Sequence, residues 1–227
     1  MTSSTDRDTL IAILQTHPYF AQVPPAQLAA LAQQAKRRPF ASGELLFLDG
    51  QPSAGLWVIE HGRVKVFRVT LEGREHVLHL LGPGDTFNDV SALDGGPNPA
   101  SAMAVTGGTA WVLPADVLEQ ALATNHALAL GVIHGLNQRM RRLVVQIEDL
   151  ALRSVTARLA RFLLEQRENP SLAGPAVTRA LIAAHLGTTP ETVSRALRTL
   201  EESGALEFDR HRIIIRDTAR LREMALL

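Results

Sequence analysis

The sequence predicts an α+β chain: a jelly-roll β-barrel first, a long helix next, and a small helical module with a hairpin last. Three observations carry that reading. Eleven of the sixteen glycines fall between Gly43 and Gly108, where they separate short apolar runs, the pattern of strands joined by turns. From His126 to Leu150 there is no proline, and apolar residues recur at helical spacing. From Thr178 to Phe208 two short helical patterns flank a glycine. With 227 residues, the chain can hold one large core or two modest ones. The patterns place boundaries at 1–125, 126–152 and 153–227.

At the start, Leu10 to Leu14 and Pro25 to Lys36 carry helical spacing, with Leu28, Leu31 and Ala32 on one face. They predict short helices that pack on something larger. Strand-like runs follow at Glu44 to Leu48, Leu56 to Glu60, Arg63 to Val69 and His76 to Leu81. A turn at His61-Gly62 joins two β-branched runs, so a hairpin is expected there. Trp111 to Leu113 closes the barrel, and Pro114 opens the exit into helix.

On the long helix, Ile133, Leu136, Met140, Leu143, Ile147 and Leu150 are spaced three and four apart in alternation. That is a heptad seam, narrower than the stripe of a helix facing only its own domain, and it predicts a homodimer. Gly131 and Gly135 interrupt this helix at about 1 kcal/mol each relative to alanine. They answer either backbone contact with the barrel or room for a ligand between barrel and helix. Ser154 can cap a further helix to about Gln166, with Leu159, Phe162 and Leu163 inward, before Asn169, Pro170 and Gly174-Pro175 break the chain.

The net charge of zero hides an asymmetry: residues 1–125 hold 8 basic and 12 acidic side chains, residues 126–227 hold 15 and 11, and all fifteen are arginine. The guanidinium fork suits phosphate and guanine edges, so a polyanionic partner is one reading and a solvated, salt-bridged helical surface the other. The chain has no cysteine, which excludes disulfides, thiolate metal sites, cysteine-ligated iron-sulfur clusters and cysteine nucleophiles. No apolar run reaches the roughly 18 residues that span a bilayer, and MTSSTDRDTL lacks a basic start before an apolar stretch. No membrane partner and a cytoplasmic location are expected.

The richest segment runs from Thr178 to Phe208. A first helix from about Arg179 to Leu186 ends at Gly187. A second begins with Thr189 as N-cap, Pro190 at the first helical position and Glu191 in the first turn. Val193, Leu197 and Leu200 form its buried stripe, which leaves Glu191, Ser194, Arg195 and Arg198 pointing outward. Arginine can bridge guanine N7 and O6, glutamate can accept from cytosine N4, and serine can serve a base or a phosphate. Glu191 and Arg195, four apart, could instead merely pair on a surface helix. Gly204 ends the helix, and Ala205 to Phe208 with Arg212 to Ile215 form a wing whose tip holds Arg210, His211 and Arg212, candidates for phosphate contact.

Pro190-Glu191-Thr192-Val193-Ser194-Arg195, preceded by Ala184-His185-Leu186-Gly187, resembles the recognition-helix signature of Crp/Fnr transcription regulators. Gly82-Pro83-Gly84-Asp85-Thr86-Phe87, Gly50 and Gly62-Arg63-Val64 extend the likeness to about residues 15–217. The resemblance implies a cyclic-nucleotide-binding-like barrel that senses an effector, a dimerisation helix, a winged helix-turn-helix that reads double-stranded DNA, and RNA polymerase as a partner. Pro190 stands where cyclic-AMP-type members carry arginine, and with Ser194 the reader is similar to the Fnr and Dnr branch. This implies TTGA-like half-sites, with Glu191 and Arg195 on the G·C pair and Ser194 on a neighbouring thymine, spaced by about one helical turn, ~34 Å.

The sensing side departs from the cyclic-nucleotide pattern. Where that pattern holds ribose with Gly-Glu and phosphate with Arg-Ser or Arg-Thr, this chain has Asn88-Asp89 and Pro99-Ala100, which argues against cyclic AMP. Phe87, Asn88, Asp89, Ala100, Ser101, Gly131 and Gly135 are the effector-pocket candidates. The stretch Phe87 to Asp89 with Asp94 to Ser101 is similar to Dnr-type regulators linked to nitric oxide and haem. His17 and His185 fall where that group can carry histidine, which keeps haem open as an effector, with His185 also readable as structural. An effector near the barrel and the first half of the long helix is expected to re-space the paired recognition helices.

An enzyme is not expected. His76 and His79 are three apart on a presumed strand and so face opposite sides, unlike the His-x-His of a cupin metal site. No nucleophile with an evident base appears. The remaining rival is a non-catalytic small-ligand-binding signalling module that acts through a protein partner.

Overall fold

The computed structural model describes residues 4–168, 176–209 and 212–226. Its contacts divide the chain into two compact units, Met1–Arg68 with Leu81–Arg141, and Val69–Leu80 with Arg142–Leu227. The first unit opens with α1 (Ser4–Thr16) and α2 (Pro25–Gln34). Strands β1 (Lys36–Phe40), β2 (Leu45–Phe47), β3 (Leu56–His61), β4 (Val64–Val69), β5 (Glu75–Leu81) and β6 (Thr86–Phe87) follow. Then come α3 (Asp89–Asp94), β7 (Ser101–Ala104), β8 (Gly108–Leu113), α4 (Ala115–Thr124) and the long α5 (His126–Leu152).

The strands form two four-stranded sheets, ordered β1-β8-β3-β6 and β2-β7-β4-β5, the two-sheet arrangement expected of a jelly roll. The expected hairpin at His61-Gly62 is not one. Strand β3 pairs with β8 and β6, whereas β4 pairs with β7, so the turn carries the chain from one sheet to the other. Gly62 makes that crossing at φ +90°, and a Cβ there would come within 2.8 Å of the Gly107 carbonyl oxygen. The local signal for a tight turn was sound, but pairing is decided by partners far along the chain.

Strands β3 and β8 are buried on both faces. Leu56, Val58, Trp111 and Leu113 join an outer core with Leu10, Leu14 and Phe20 from the N-terminal segment, Leu28 and Leu31 of α2, Leu118 of α4, and Leu128 and Val132 of α5. Trp57, Ile59, Ala110 and Val112 point the other way, into the barrel with Phe40 and Phe87. Two-sided burial is why both strands read as unbroken apolar runs instead of alternating ones. Each such side chain contributes about 1.5–3 kcal/mol of burial.

Helix α5 has two working faces. Leu128, Val132 and Gly135 turn inward, at intervals of four and three, while Ile133, Met140, Leu143 and Ile147 are exposed. Leu136, counted in the seam, is half-buried and packs against the outer core, so it interrupts the open apolar stripe between Ile133 and Met140. The Leu150 side chain lies outside the described part.

The second unit takes β5 up to Leu80 and α5 from Arg142, and carries α6 (Val155–Glu168), α7 (Arg179–His185), α8 (Pro190–Glu202), β9 (Leu206–Phe208), β10 (Ile213–Ile215) and α9 (Thr218–Met224). Ser154 caps α6 by accepting from the Ala157 N–H at 3.2 Å, and Ala157, Leu159, Ala160, Phe162 and Leu163 are buried. The break from Asn169 to Pro175 lies outside the described residues. Among the described residues no helix is long and apolar enough to cross a membrane.

Candidate functional site

The helix-turn-helix assembles as its residues dictate. Thr178 caps α7, its side chain accepting from Leu181 N–H at 3.2 Å. The chain turns through Gly187 at φ +63°, a left-handed conformation that costs glycine little. Thr189 then caps α8, accepting from Thr192 N–H at 3.3 Å, and Pro190 occupies the first turn, where its missing N–H leaves no bond unmade. Val193, Ala196, Leu197 and Leu200 are buried.

The opposite side of α8 is displayed. Glu191, Arg195 and Arg198 are exposed and Ser194 is half-buried. Ser194 Oγ donates back to the Pro190 carbonyl at 2.9 Å, which leaves the oxygen able to accept. Arg195 Nη2 donates to Thr192 Oγ1 at 3.2 Å, and its charge also acts, as the smallest cause, on the Glu191 carboxyl one turn away. The Glu191 carboxyl is held below its usual range, first by its own backbone N–H and next by the Thr189 hydroxyl.

Strands β9 and β10 pair antiparallel, with Ile213 opposite Phe208 and Ile215 opposite Leu206. Asp209 Oδ1 accepts from Arg212 N–H at 2.8 Å, closing the turn whose tip residues Arg210 and His211 lie outside the described residues. Arg212 is exposed. Arg179 braces this wing, donating to the Asp209 carbonyl at 2.8 Å and lying 5.4 Å over the Phe208 ring.

In the first unit the effector-pocket candidates are engaged with other residues of the protein. Phe87 stacks on Trp57 with ring centroids 5.4 Å apart. Asn88, at φ +63°, is the one non-glycine residue with positive φ among those described. Its buried amide reaches Ser53 Oγ and Asn98 Oδ1 at 2.9 Å each and accepts from Ser91 Oγ at 3.1 Å. Ser101 Oγ accepts from Asp49 N–H at 3.0 Å, and Ala100 is buried.

Asp89 is buried, and Tyr19 Oη donates to its Oδ2 at 2.7 Å while Arg139 Nη1 donates to the same oxygen. Burial first, then the adjacent Asp89 carboxylate, push the Tyr19 phenol far above its ordinary range, so it stays protonated and donates. Gly131 and Gly135 serve this contact. A Cβ at Gly131 would lie 2.2 Å from the Tyr19 carbonyl oxygen, and one at Gly135 would lie 2.1 Å from Tyr19 Cε1. The space beside both glycines therefore holds Tyr19, from the segment between α1 and α2 and not from the barrel, with backbone at Gly131 and ring at Gly135. Tyr19 and Arg139 were not singled out from sequence, although Arg139 continues the inward spacing of Val132 and Gly135.

The two histidines kept open for haem differ in their surroundings. Tyr19 N–H donates to His17 Nδ1 at 3.3 Å, which leaves the proton on Nε2, 3.2 Å from Thr86 Oγ1. Both ring nitrogens are thus in use. His185 packs against Phe162 at 5.3 Å, and burial holds its imidazole neutral, below its ordinary pKa. His185 is half-buried, and its Nδ1 has no hydrogen-bond partner among the described residues. Among the described residues no group of three His, Cys, Asp or Glu could hold a metal ion.

A two-sheet barrel, a long helix with an apolar outer face and a winged helix-turn-helix define a class, that of DNA-binding regulators with a sensor domain. The comparisons agree. Residues 37–125 match the cyclic nucleotide-binding domain family and residues 157–224 the Crp-like helix-turn-helix domain family. The CRP-like cAMP-activated global transcriptional regulator of Mycobacterium tuberculosis is 31% identical over 220 residues, covering 94% of this chain and 98% of the relative. The cyclic AMP receptor protein of Thermus thermophilus is 32% identical over 214 residues, covering 92% and 96%. Among solved structures, FixK2 from Bradyrhizobium japonicum superposes with a TM-score of 0.74 at 25% identity, covering 84% of this chain and 96% of its own. The chain belongs to the Crp/Fnr family: it is a DNA-binding transcription regulator and not an enzyme.

Proposed function

We infer that two copies of this chain pair through α5 and read a twofold-symmetric DNA site, each inserting α8 into a major groove. Glu191, Ser194 and Arg195 meet base edges, with Glu191 and Arg195 on the G·C pair of a TTGA-like half-site. Thr189, Pro190 and Arg198 flank the contact, and Arg210 and Arg212 on the wing meet phosphates. The observation that carries this reading is the displayed face of α8, where Glu191 and Arg195 stand exposed above a fully buried stripe. The half-sites lie about one helical turn, ~34 Å, apart. Exposed Ile133, Met140, Leu143 and Ile147 support the dimer, whose seam also includes Leu136 and Leu150, and family membership supports RNA polymerase as a partner in the cytoplasm.

Activity is controlled in the region where the barrel meets α5, through Asp89, Gly131 and Gly135. The two named relatives are a cAMP-activated regulator and a cyclic AMP receptor protein, but this chain's site is not built for a cyclic phosphate. Pro99 and Ala100 offer no cation, and Asp89 already serves Tyr19 and Arg139. The test is fluorescence anisotropy with a TTGA palindrome and a scrambled duplex, beside sedimentation of the free protein. A dimer that prefers the palindrome by about a thousandfold or more is expected. Equal affinity for both duplexes, or a monomer on DNA, would defeat the assignment.

A further inference from the structure

We propose that Tyr19 is an internal ligand of the sensor unit: its phenol occupies the Asp89–Arg139 pair, and the slot it fills takes a small phenol once vacated. This rests on the proposed control region but not on DNA binding itself. Three independent features meet at this ring. Asp89, a buried acid, has its Oδ2 shared between the Tyr19 hydroxyl and the Arg139 guanidinium. Gly131 and Gly135, one helical turn apart, form a notch with no room for even a methyl group once Tyr19 is seated. The ring edge also meets His17, centroids 4.7 Å apart at 84°, and His17 is itself fixed by Thr86 of β6.

A group held by a hydrogen bond to a buried carboxylate, a matched cation and a shape-complementary slot has the attributes of a bound small molecule. Here the molecule is tethered to the chain, so no association entropy opposes its binding. The segment after α1, the barrel at Asp89 and helix α5 at Arg139 are thereby joined without any diffusible effector. An effector for this site must displace the phenol, and so must bring a hydroxyl donor for Asp89 on a flat apolar body. A hydroxylated aromatic ring is the class that fits.

The test removes the ring and returns it from solution. Tyr19→Ala should bind p-cresol, measured by calorimetry, about tenfold or more tightly than toluene, the worth of one hydrogen bond to a charged acceptor. Wild-type protein should bind neither. DNA affinity of Tyr19→Ala should fall and recover with p-cresol, while wild type binds DNA with no small molecule added. Equal binding of p-cresol and toluene, no binding of either, or tight binding of cyclic AMP to wild type without loss of the tyrosine contact would overturn the proposal. Failure of wild type to bind any duplex would instead sink the DNA reading and leave the calorimetry to judge the internal ligand.

Tyr19→Ala risks misfolding, and a second measurement avoids it. Tyr19 is the single tyrosine of the chain, so absorbance near the tyrosinate band follows it alone. In wild type it should ionise well above the usual value of about 10, and Asp89→Asn should bring the midpoint down. A normal midpoint in wild type, or one unmoved by Asp89→Asn, would mean the phenol does not sit on Asp89.

Discussion

The outer face of α8 and the interior at Asp89 use the same kinds of side chain in opposite ways. On α8, Glu191, Arg195 and Arg198 are exposed, and the bonds of Glu191 and Arg195 stay within the helix and its cap. Around Asp89, every polar candidate is buried and bonded: Asn88 to Asn98 and Ser91, Asp89 to Tyr19 and Arg139, Ser101 to the Asp49 backbone. Unmet hydrogen-bonding capacity in water costs little, whereas in an interior it costs about 1–3 kcal/mol per group. The first arrangement is suited to meeting a polar partner from outside. The second is suited to holding a shape. Mutations should therefore separate the two regions, one changing DNA affinity at constant stability, the other changing stability first.

The largest separation is expected from Arg195→Ala. Loss of a bidentate contact to guanine costs about 1–3 kcal/mol per half-site, and a palindrome has two. Anisotropy titrations should show that loss together with relaxed preference at one base pair, while the thermal midpoint stays where it was, because Arg195 is exposed. Unchanged affinity would remove Arg195 from the reading face. An equal loss on scrambled DNA would reduce it to a phosphate contact.

Asn88→Ala should do the reverse. It strips the bonds to Ser53 and Asn98 and replaces asparagine, which tolerates the left-handed φ of +63°, by alanine, which tolerates it less well, for a total of about 2–5 kcal/mol. Denaturant midpoints measure it. Asn88→Gly, which relieves the backbone cost but not the lost bonds, should recover about 1 kcal/mol. If Asn88→Ala unfolds no more easily than wild type, the amide network contributes nothing and the site is open to ligand.

How well each region could be read from sequence follows the same division. Helix α8 was legible as a structural element, since cap, proline, buried stripe and outward face are all local and periodic, and Val193, Leu197 and Leu200 lie where the period puts them. The barrel was legible as a class, but the pairing of β3 with β8 and not β4 joins residues some fifty positions apart, and no local pattern encodes that. At Asp89, the glycines of α5 announced a close approach without naming the neighbour. Tyr19 and Arg139 are a lone aromatic and a lone arginine until three distant segments meet.

A smaller effect tests whether His185 belongs to the core of its unit or is poised as a ligand. Burial, the dominant cause, lowers its folded pKa below the ordinary value of about 6.5, so below that pH the unfolded chain binds a proton that the folded chain does not. Stability should then be flat above pH 7 and fall as pH drops through about 6.5, by at most about 1.4 kcal/mol per pH unit. His185→Gln should flatten that slope in acid denaturation curves. A slope that persists unchanged would move the titrating group elsewhere.

The smallest expected effect links the two kinds of region within α8 itself. Thr189 Oγ1 accepts from Thr192 N–H, and Thr192 Oγ1 in turn accepts from Arg195, so the cap that starts the helix also steadies a side chain of the reading face. Thr189→Ala should cost about 1 kcal/mol of stability, seen as a small shift in the denaturant midpoint, with a loss of DNA affinity well below that of Arg195→Ala. Thr189→Ser, which keeps the acceptor, should restore both. If the alanine variant loses stability while its DNA affinity is untouched, Arg195 orients itself on the DNA and the chain of bonds through Thr192 plays no part in recognition. If affinity falls as far as in Arg195→Ala, the cap is itself a DNA contact, because an effect relayed through one 3.2 Å bond to a side chain free in solvent is limited to the few tenths of a kcal/mol by which that bond biases the arginine's rotamers.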